Sequence, residues 1–128
     1  FYLARAVAPG MIQRGWGRII AFSMANADKL ESQPQVTAHY IAKSGILILT
    51  RSLATLLAPH GITVNAISPG FINSGSAPES ELSGMVRRIP AGYVGGTEDA
   101  VTAAKYLLSD EARYVNGANI HLSGGWGI

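Results

Sequence analysis

Side chains that can exchange protons cluster in the segment TAHYIAKSG, which contains His39, Tyr40 and Lys43. Imidazole, phenol and amine groups all serve in general acid–base chemistry, so this cluster is a candidate catalytic segment. If the segment is helical, His39 lies about 40° from Lys43 around the helix axis, and Tyr40 lies about 60° away on the other side. Either side chain can therefore neighbour the lysine, and helix geometry alone leaves open which of them transfers a proton.

A second group of polar residues follows the predicted strands, in loops rich in Ser, Gly and Asn that include one beginning at Ser23. In the stretch SPGFINSGS, Pro69 fixes the chain direction and Gly70 permits close approach of a ligand. Backbone N–H groups there, with the hydroxyls of Ser74 and Ser76, are suited to a phosphate or an amide. The alternative interpretation is an ordinary turn at the end of a strand.

The elements that must position these groups alternate between helix and strand. Helical spacing or capping signals mark residues 1–13, about 37–60, 79–87 and a stretch from 97, and short apolar runs predict strands at 18–23, 62–68 and 119–122. This alternation predicts an α/β fold with a parallel sheet. Because ligands of such sheets bind at the carboxyl ends of the strands, the loops there are where we expect the chemistry.

The long helix carries two further expectations. Its sheet-facing stripe is predicted from the large aliphatic residues, namely Ile46, Leu49, Leu53, Leu56 and Leu57. Thr37 is the expected N-cap of this helix, and Thr97 is expected to cap the last one.

Composition limits the possible functions. The chain has 128 residues, 48% of them hydrophobic, which suits one compact domain, and its net charge of +2 gives no reason to expect a nucleic-acid partner. Without cysteine it has no thiolate metal site or cysteine nucleophile, and we predict no metal. The longest uninterrupted apolar run is far shorter than the ~18 residues of a membrane helix, so we expect a soluble, cytoplasmic protein with no membrane partner.

Four motifs, GRIIAFS, AKSGILILTRSLA, GITVNAISPGFINS and YVNGANIHLSGG, occur in an order and spacing that resemble the C-terminal half of a short-chain dehydrogenase/reductase. The 3-oxoacyl-[acyl-carrier-protein] reductases are the most similar members. The resemblance implies a doubly wound Rossmann fold and a homo-oligomer, either dimer or tetramer. It also implies hydride transfer between NAD(H) or NADP(H) and a carbonyl or alcohol substrate such as a 3-oxoacyl thioester.

The family's glycine-rich cofactor loop belongs to the half that would precede Phe1. We therefore expect residues 1–128 to be the C-terminal half of a single Rossmann-type domain. Such a half exposes a sheet edge that its missing strands would cover, so we expect it not to fold independently.

The resemblance assigns roles within the catalytic segment. Family members use a Ser after the first of these strands and a Tyr four residues before a Lys. Lys43 matches the lysine, counting back four reaches His39, and the same register puts Met24 at the serine position. Tyr40 and Ser23 each lie one place from a family position, and both remain candidates.

The resemblance also supplies a cofactor site. It implies that Lys43 holds the nicotinamide ribose and that Pro69 and Gly70 form the turn over the nicotinamide ring. The backbone of Ile72 would contact the carboxamide, and the Ser74 hydroxyl stands where family members usually have Thr. The residues that choose between NAD and NADP lie in the preceding half.

Two departures from the family pattern define an alternative function. The segment at about 71–96 resembles the family's substrate lid, which favours an enzyme. Met24 and His39, however, stand where the family has its catalytic Ser and Tyr. The alternative is a catalytically impaired member that acts as a cofactor-binding or scaffold subunit.

Overall fold

The fold is a layered arrangement of helices on a parallel sheet, seen in a computed structural model that describes residues 1–75 and 78–127. Within these residues the elements follow in the order α1 (Tyr2–Arg14), β1 (Gly17–Phe22), α2 (Thr37–Leu57), β2 (Ile62–Pro69), β3 (Ile72–Asn73), α3 (Glu79–Val86), β4 (Gly95–Gly96), α4 (Thr97–Leu108) and β5 (Asn119–Leu122). Strands β1, β2 and β5 form one parallel sheet in the order β1-β2-β5, and β3 pairs with β4. The α/β prediction is confirmed, and each strand of this sheet lies within one residue of its expected bounds.

The register of the sheet brings the strand ends together. Phe22 at the end of β1 pairs with Ile67, and Pro69 at the end of β2 pairs with Leu122 at the end of β5. The loops that leave the three strands therefore start from one edge of the sheet, which is the edge where ligands of parallel sheets bind.

The predicted stripe on α2 is wrong, because the buried residues of this helix are Tyr40, Leu47, Thr50, Ala54 and Leu57. Of the expected set only Leu57 is buried, and Leu56 is 67% exposed. Thr50 and Ala54 are small, so they let the helix approach β2 closely. The positions of large aliphatic residues alone therefore do not identify the face of α2 that packs on the sheet, because small side chains are needed there.

The two helix caps also differ from prediction by one residue. Val36 is the N-cap of α2, and the Thr37 hydroxyl instead donates to a preceding backbone carbonyl at 2.9 Å. Gly96 is the N-cap of α4, and its N–H donates to Asp99 Oδ2 at 2.8 Å, so Thr97 is the first helical residue rather than the cap. Asp99 therefore satisfies the backbone N–H of the N-cap residue, and the N-cap itself, a glycine, provides no side-chain oxygen.

The end of the long helix agrees with prediction. A short 3₁₀ turn, Ala58–His60, follows α2, and Gly61 then adopts a left-handed conformation with φ of 71°. A Cβ at this position would collide with the backbone carbonyl of Gly15, so only glycine suits the turn into β2.

The helix Thr37–His60 is long and apolar enough to cross a membrane by length and composition, with 24 residues and a mean hydropathy of 1.4. The expectation from the sequence rested on uninterrupted apolar runs and did not identify this helix as a candidate span. The helix contacts β1 and β2, and 22% of its apolar 18-residue window is buried.

Replacing Leu57 with Ala is expected to lower the free energy of unfolding by about 2–5 kcal/mol, because Leu57 is 3% exposed and packs with Ile62 and Val64. The matched control is Leu56→Ala, at the neighbouring position, because the Leu56 side chain is exposed. Its expected loss in the free energy of unfolding is under about 0.5 kcal/mol. Denaturant titration measures both. Equal losses would contradict the observed helix face, and a Leu56 effect that vanishes on dilution would report a contact between subunits.

Candidate active site

The candidate site is built where β1 ends against the first turns of α2. The Lys43 ammonium donates a hydrogen bond to the Phe22 carbonyl at 2.9 Å, and the Ser23 hydroxyl donates to the Lys43 carbonyl at 2.8 Å. These reciprocal bonds fix the helix against the strand end. Lys43 is half-buried, and because an ammonium has three donors, two remain for a ligand.

Tyr40 and His39 have different surroundings. The Tyr40 side chain is buried, and its hydroxyl donates to the Asn26 carbonyl while accepting the Glu31 N–H at 3.2 Å. Both partners belong to the β1–α2 loop, residues 24–36. His39 is exposed on the same helix. Tyr40 therefore fastens the loop, and of the two proton-transfer candidates only His39 faces solvent.

The two residues near the family's serine position are both engaged in packing or backbone bonds. Ser23 is 4% exposed, its N–H donates to the Ile67 carbonyl, and its hydroxyl is directed at α2. Met24 packs against a buried cluster that includes Leu47 and Ala66. Neither residue presents a hydroxyl to a substrate in this arrangement.

The turn at Pro69 and Gly70 connects the loops that leave the other strands. The Ala25 N–H donates to the Pro69 carbonyl, and the Gly70 N–H donates to the Leu122 carbonyl, both at 2.9 Å. A Cβ on Gly70 would lie 3.0 Å from the Cα of Ser123, so the close approach of the two strand ends favours glycine here. The predicted convergence of the three strand-end loops is thus observed.

Ile72 and Ser74 follow this turn. The Gly95 N–H donates to the Phe71 carbonyl at 3.1 Å, and because successive strand residues direct their backbone groups to opposite sides, the N–H and C=O of Ile72 point away from β4. This orientation fits a backbone contact to an amide ligand. Ser74 is exposed, and Ser76 lies outside the described residues.

The segment at 71–96 contains β3, α3 and β4, and its residues 76–77 lie outside the described part of the chain. Near its far end the Arg88 guanidinium lies 5.1 Å from the Phe71 ring and 5.5 Å from the Trp126 ring, and the two rings are 4.5 Å apart. The Ala91 N–H also donates to the Gly124 carbonyl at 2.9 Å. Stacking and a backbone bond therefore fasten this segment to the C-terminal turn.

A cleft of about 200 Å³ lies between this segment and the end of β5. Its walls include Phe71, Ile72, Tyr93 and Gly95 from one side and His121 and Ser123 from the other.

A chain of polar side chains that sequence reasoning missed crosses the end of the sheet. The Ser68 hydroxyl donates to Asn119 Oδ1 at 2.5 Å, Asn119 Nδ2 lies 3.1 Å from His121 Nε2, and Asp28 Oδ2 lies 3.3 Å from the same nitrogen. Asn119 and His121 are two residues apart on β5, and Ser68 is the register partner of His121. That shared strand face was a usable signal, whereas nothing in the sequence around Asp28 indicated its partner.

Comparison with known proteins agrees with this geometry. A family model described as enoyl-(acyl carrier protein) reductase matches residues 1–127. The 3-oxoacyl-[acyl-carrier-protein] reductase of Rickettsia felis is 36% identical over 128 residues, which are 98% of this chain and 52% of that protein.

Solved structures give the same result. The gluconate 5-dehydrogenase of Burkholderia cenocepacia in complex with NADP and tartrate has a TM-score of 0.84 at 28% identity, covering 95% of this chain and 49% of that one. The 3-oxoacyl-[acyl-carrier protein] reductase of Brucella melitensis with bound NAD has a TM-score of 0.86 at 29% identity, covering 98% and 47%. This chain spans about half the length of the relatives it matches, and it belongs to the short-chain dehydrogenase/reductase family of oxidoreductases.

Proposed function

We propose that residues 1–128 form the substrate-side half of an NAD(P)-dependent oxidoreductase that transfers a hydride between the cofactor and a carbonyl or alcohol. The observation that carries this proposal is the junction of β1 and α2. There Lys43 is anchored at the carboxyl end of the sheet and keeps two donors for a ligand, in a chain that belongs to an oxidoreductase family.

The residues that would hold the cofactor surround that junction. Lys43 would bind the ribose hydroxyls, Pro69 and Gly70 would lie along the nicotinamide ring, and the Ile72 backbone would bind the carboxamide, with Ser74 nearby. When bound, the nicotinamide supplies or accepts the hydride. The structural relatives contain NADP in one case and NAD in another, so both dinucleotides are candidates.

His39 would supply the proton. In the direction of reduction, the substrate oxygen gains a proton as the carbonyl carbon receives the hydride, which requires a donor beside the cofactor's lysine. His39 is four residues before Lys43 and exposed, whereas the Tyr40 hydroxyl is bound to the β1–α2 loop through Asn26 and Glu31. An imidazole can serve as both proton donor and acceptor near neutral pH.

The substrate we propose first is a 3-oxoacyl thioester, because the curated relatives are 3-oxoacyl-[acyl-carrier-protein] reductases. The segment at about 71–96 would cover it as a lid, since it forms one wall of the cleft at the end of β5. A sugar acid is the second candidate, supported by the gluconate 5-dehydrogenase relative.

Oligomerisation is part of the proposal. Exposed apolar side chains on α1 and α2, among them Leu3, Val7, Ile41 and Ile48, would pack between subunits of a dimer or tetramer. A soluble protein with a cytoplasmic location is part of the same proposal. Sedimentation equilibrium would give the subunit number.

The test is a fluorescence titration with NADH and NADPH of the protein expressed from its complete gene, followed by turnover assays with 3-oxoacyl thioesters, small ketones and gluconate. We expect micromolar binding of one dinucleotide, on the order of typical enzyme KM values, and turnover of at least one substrate. Binding without turnover would favour the cofactor-binding subunit, and absence of binding to both would favour the scaffold.

A further inference from the structure

The β1–α2 loop is held to the rest of the protein at β2, α2 and β5. At β2, the Ala25 N–H donates to the Pro69 carbonyl at 2.9 Å. Toward α2, its Asn26 and Ala27 carbonyls accept bonds from Tyr40 and from the Ser44 hydroxyl, the latter at 2.7 Å. Toward β5, its side-chain contact is Asp28 with His121. The α2 contacts join hydroxyl donors to backbone carbonyls, whereas the β5 contact joins an imidazole to a carboxylate.

His121 cannot satisfy both of its neighbours in one protonation state. Asn119 Oδ1 accepts the Ser68 hydroxyl, so its amide nitrogen faces His121 Nε2 at 3.1 Å and needs a lone pair there. Asp28 Oδ2, 3.3 Å from the same nitrogen, needs an N–H. One ring nitrogen carries either the lone pair or the hydrogen.

Two protonation states follow from this conflict. When His121 is neutral, a hydrogen on Nδ1 leaves Nε2 to accept from Asn119, so the Asp28 carboxylate faces a lone pair. A neutral ring with its hydrogen on Nε2 instead donates to Asp28 without forming an ion pair, after the Asn119 amide turns over. When His121 is charged, Nε2–H donates to Asp28 as an ion pair, and the Asn119 amide presents its oxygen to the ring and donates to Ser68. Within the described residues Nδ1 has no hydrogen-bond partner, so neither neutral form gains a bond there. Loss of the ring's charge therefore weakens the contact to Asp28 in both neutral forms.

The other ionisable groups around this contact do not replace Asp28. Asp99 and Tyr93 line the same cleft, but Asp99 already accepts the Gly96 N–H at 2.8 Å. The Arg88 guanidinium is stacked on Phe71, a residue of the cleft wall, at 5.1 Å. The His121 side chain is 23% exposed and that of Asp28 is 37% exposed, so the pair is partly shielded from water.

We infer that His121 and Asp28 are positioning residues that clasp the β1–α2 loop onto the sheet most tightly when His121 is protonated and loosen that clasp when His121 is neutral. The loop begins with Met24, which the resemblance places at the family's serine position. It also binds the hydroxyl of Tyr40, the residue that follows His39. Any effect of the clasp on turnover rests on the proposed function, but the loop's position does not.

The experiment measures loop release directly, by tryptic cleavage after the exposed Lys29 relative to cleavage after Lys105, in the protein from its complete gene at pH 6 and pH 8. Taking the ratio of the two sites removes the pH dependence of trypsin itself. We expect the ratio to rise about two- to five-fold at pH 8, the range of a partly exposed ion pair. In Asp28→Asn and His121→Gln the ratio should be high and equal at both pH values.

Matched controls are Glu31→Gln, which removes a negative charge from the same loop, and His60→Gln, which removes an exposed histidine beyond α2. Both should keep the rise seen in the unmodified protein. A thermal melt identifies a variant that fails to fold, and ¹⁵N spectra of the imidazole rings follow His121 in the unmodified protein. A flat ratio in the unmodified protein, or the same rise in Asp28→Asn, would overturn the inference. Neither the cleavage ratio nor the imidazole spectra require turnover. An inactive enzyme would therefore refute the proposed function, while the same measurements would still test the clasp.

Discussion

Replacing His39 with Gln is expected to reduce turnover about 10²–10⁴-fold while leaving the affinity for the dinucleotide nearly unchanged. Glutamine keeps the polarity and approximate length of the side chain but cannot deliver a proton to a substrate oxygen. His39 is exposed one helical turn before Lys43, and the Lys43 ammonium is bonded to the carbonyl of Phe22 at the end of β1. Steady-state kinetics in the direction of reduction, with a separate dinucleotide titration, separate loss of chemistry from loss of binding.

The matched variant is Tyr40→Phe. Removing this hydroxyl leaves the Asn26 carbonyl and the Glu31 N–H without their partner, so we expect a loss of about 1–3 kcal/mol in the free energy of unfolding. We expect turnover to change only a few-fold. If Tyr40→Phe abolishes turnover with an unchanged melt, and His39→Gln does not, then the phenol is the acid and the β1–α2 loop must move to expose it.

The pH profile distinguishes the two donors independently. An imidazole must carry its proton to donate it, so a rate of reduction that depends on His39 should fall as the pH rises. In the His39→Gln variant, most of the rate of reduction should be lost, and the remaining rate should no longer fall as the pH rises.

The elements of this fold were predictable because their signals are local. The β-branched run before Pro69 and the apolar run before Ser23 identify parallel strands without reference to the rest of the chain, and both lie within one residue of their expected bounds. Gly61 follows the long helix in a left-handed conformation, and a glycine at this point is a local stop signal in the sequence. The convergence of the strand-end loops then follows from parallel topology.

The site's hydrogen bonds were not predictable because they join residues far apart in sequence. Nothing in the sequence near Tyr40 shows that its hydroxyl is bound by the β1–α2 loop. Helix geometry alone left Tyr40 and His39 as equal candidates for proton transfer. Ser23 looked like a displaced catalytic serine until its bond to the Lys43 carbonyl was known. The predicted sheet-facing stripe of α2 was wrong for a related reason. The residues that pack against β2 include the small side chains of Thr50 and Ala54, and that packing depends on a strand distant in sequence.

Replacing Lys43 with Ala is expected to weaken dinucleotide binding and to lower kcat/KM about 10²–10⁴-fold. The variant would lose a contact to the cofactor and the bond that orients α2, the helix that carries His39. The ammonium is bound to the Phe22 carbonyl at 2.9 Å, which aims its remaining donors along the strand end. Its removal leaves that carbonyl without its side-chain donor. Dinucleotide titration and steady-state kinetics on the same preparation measure both effects.

Two further variants show whether charge or position matters at this lysine. Lys43→Arg keeps the charge but places a wider, planar group between β1 and the ligand, so we expect it to recover little activity. Lys105→Ala, which removes an exposed lysine from the last turn of α4, should leave both constants unchanged. If Lys43→Ala binds the dinucleotide normally and turns over normally, the β1–α2 junction is not the cofactor site. In that case the reciprocal bonds between Ser23, Lys43 and Phe22 serve only to hold the helix on the sheet.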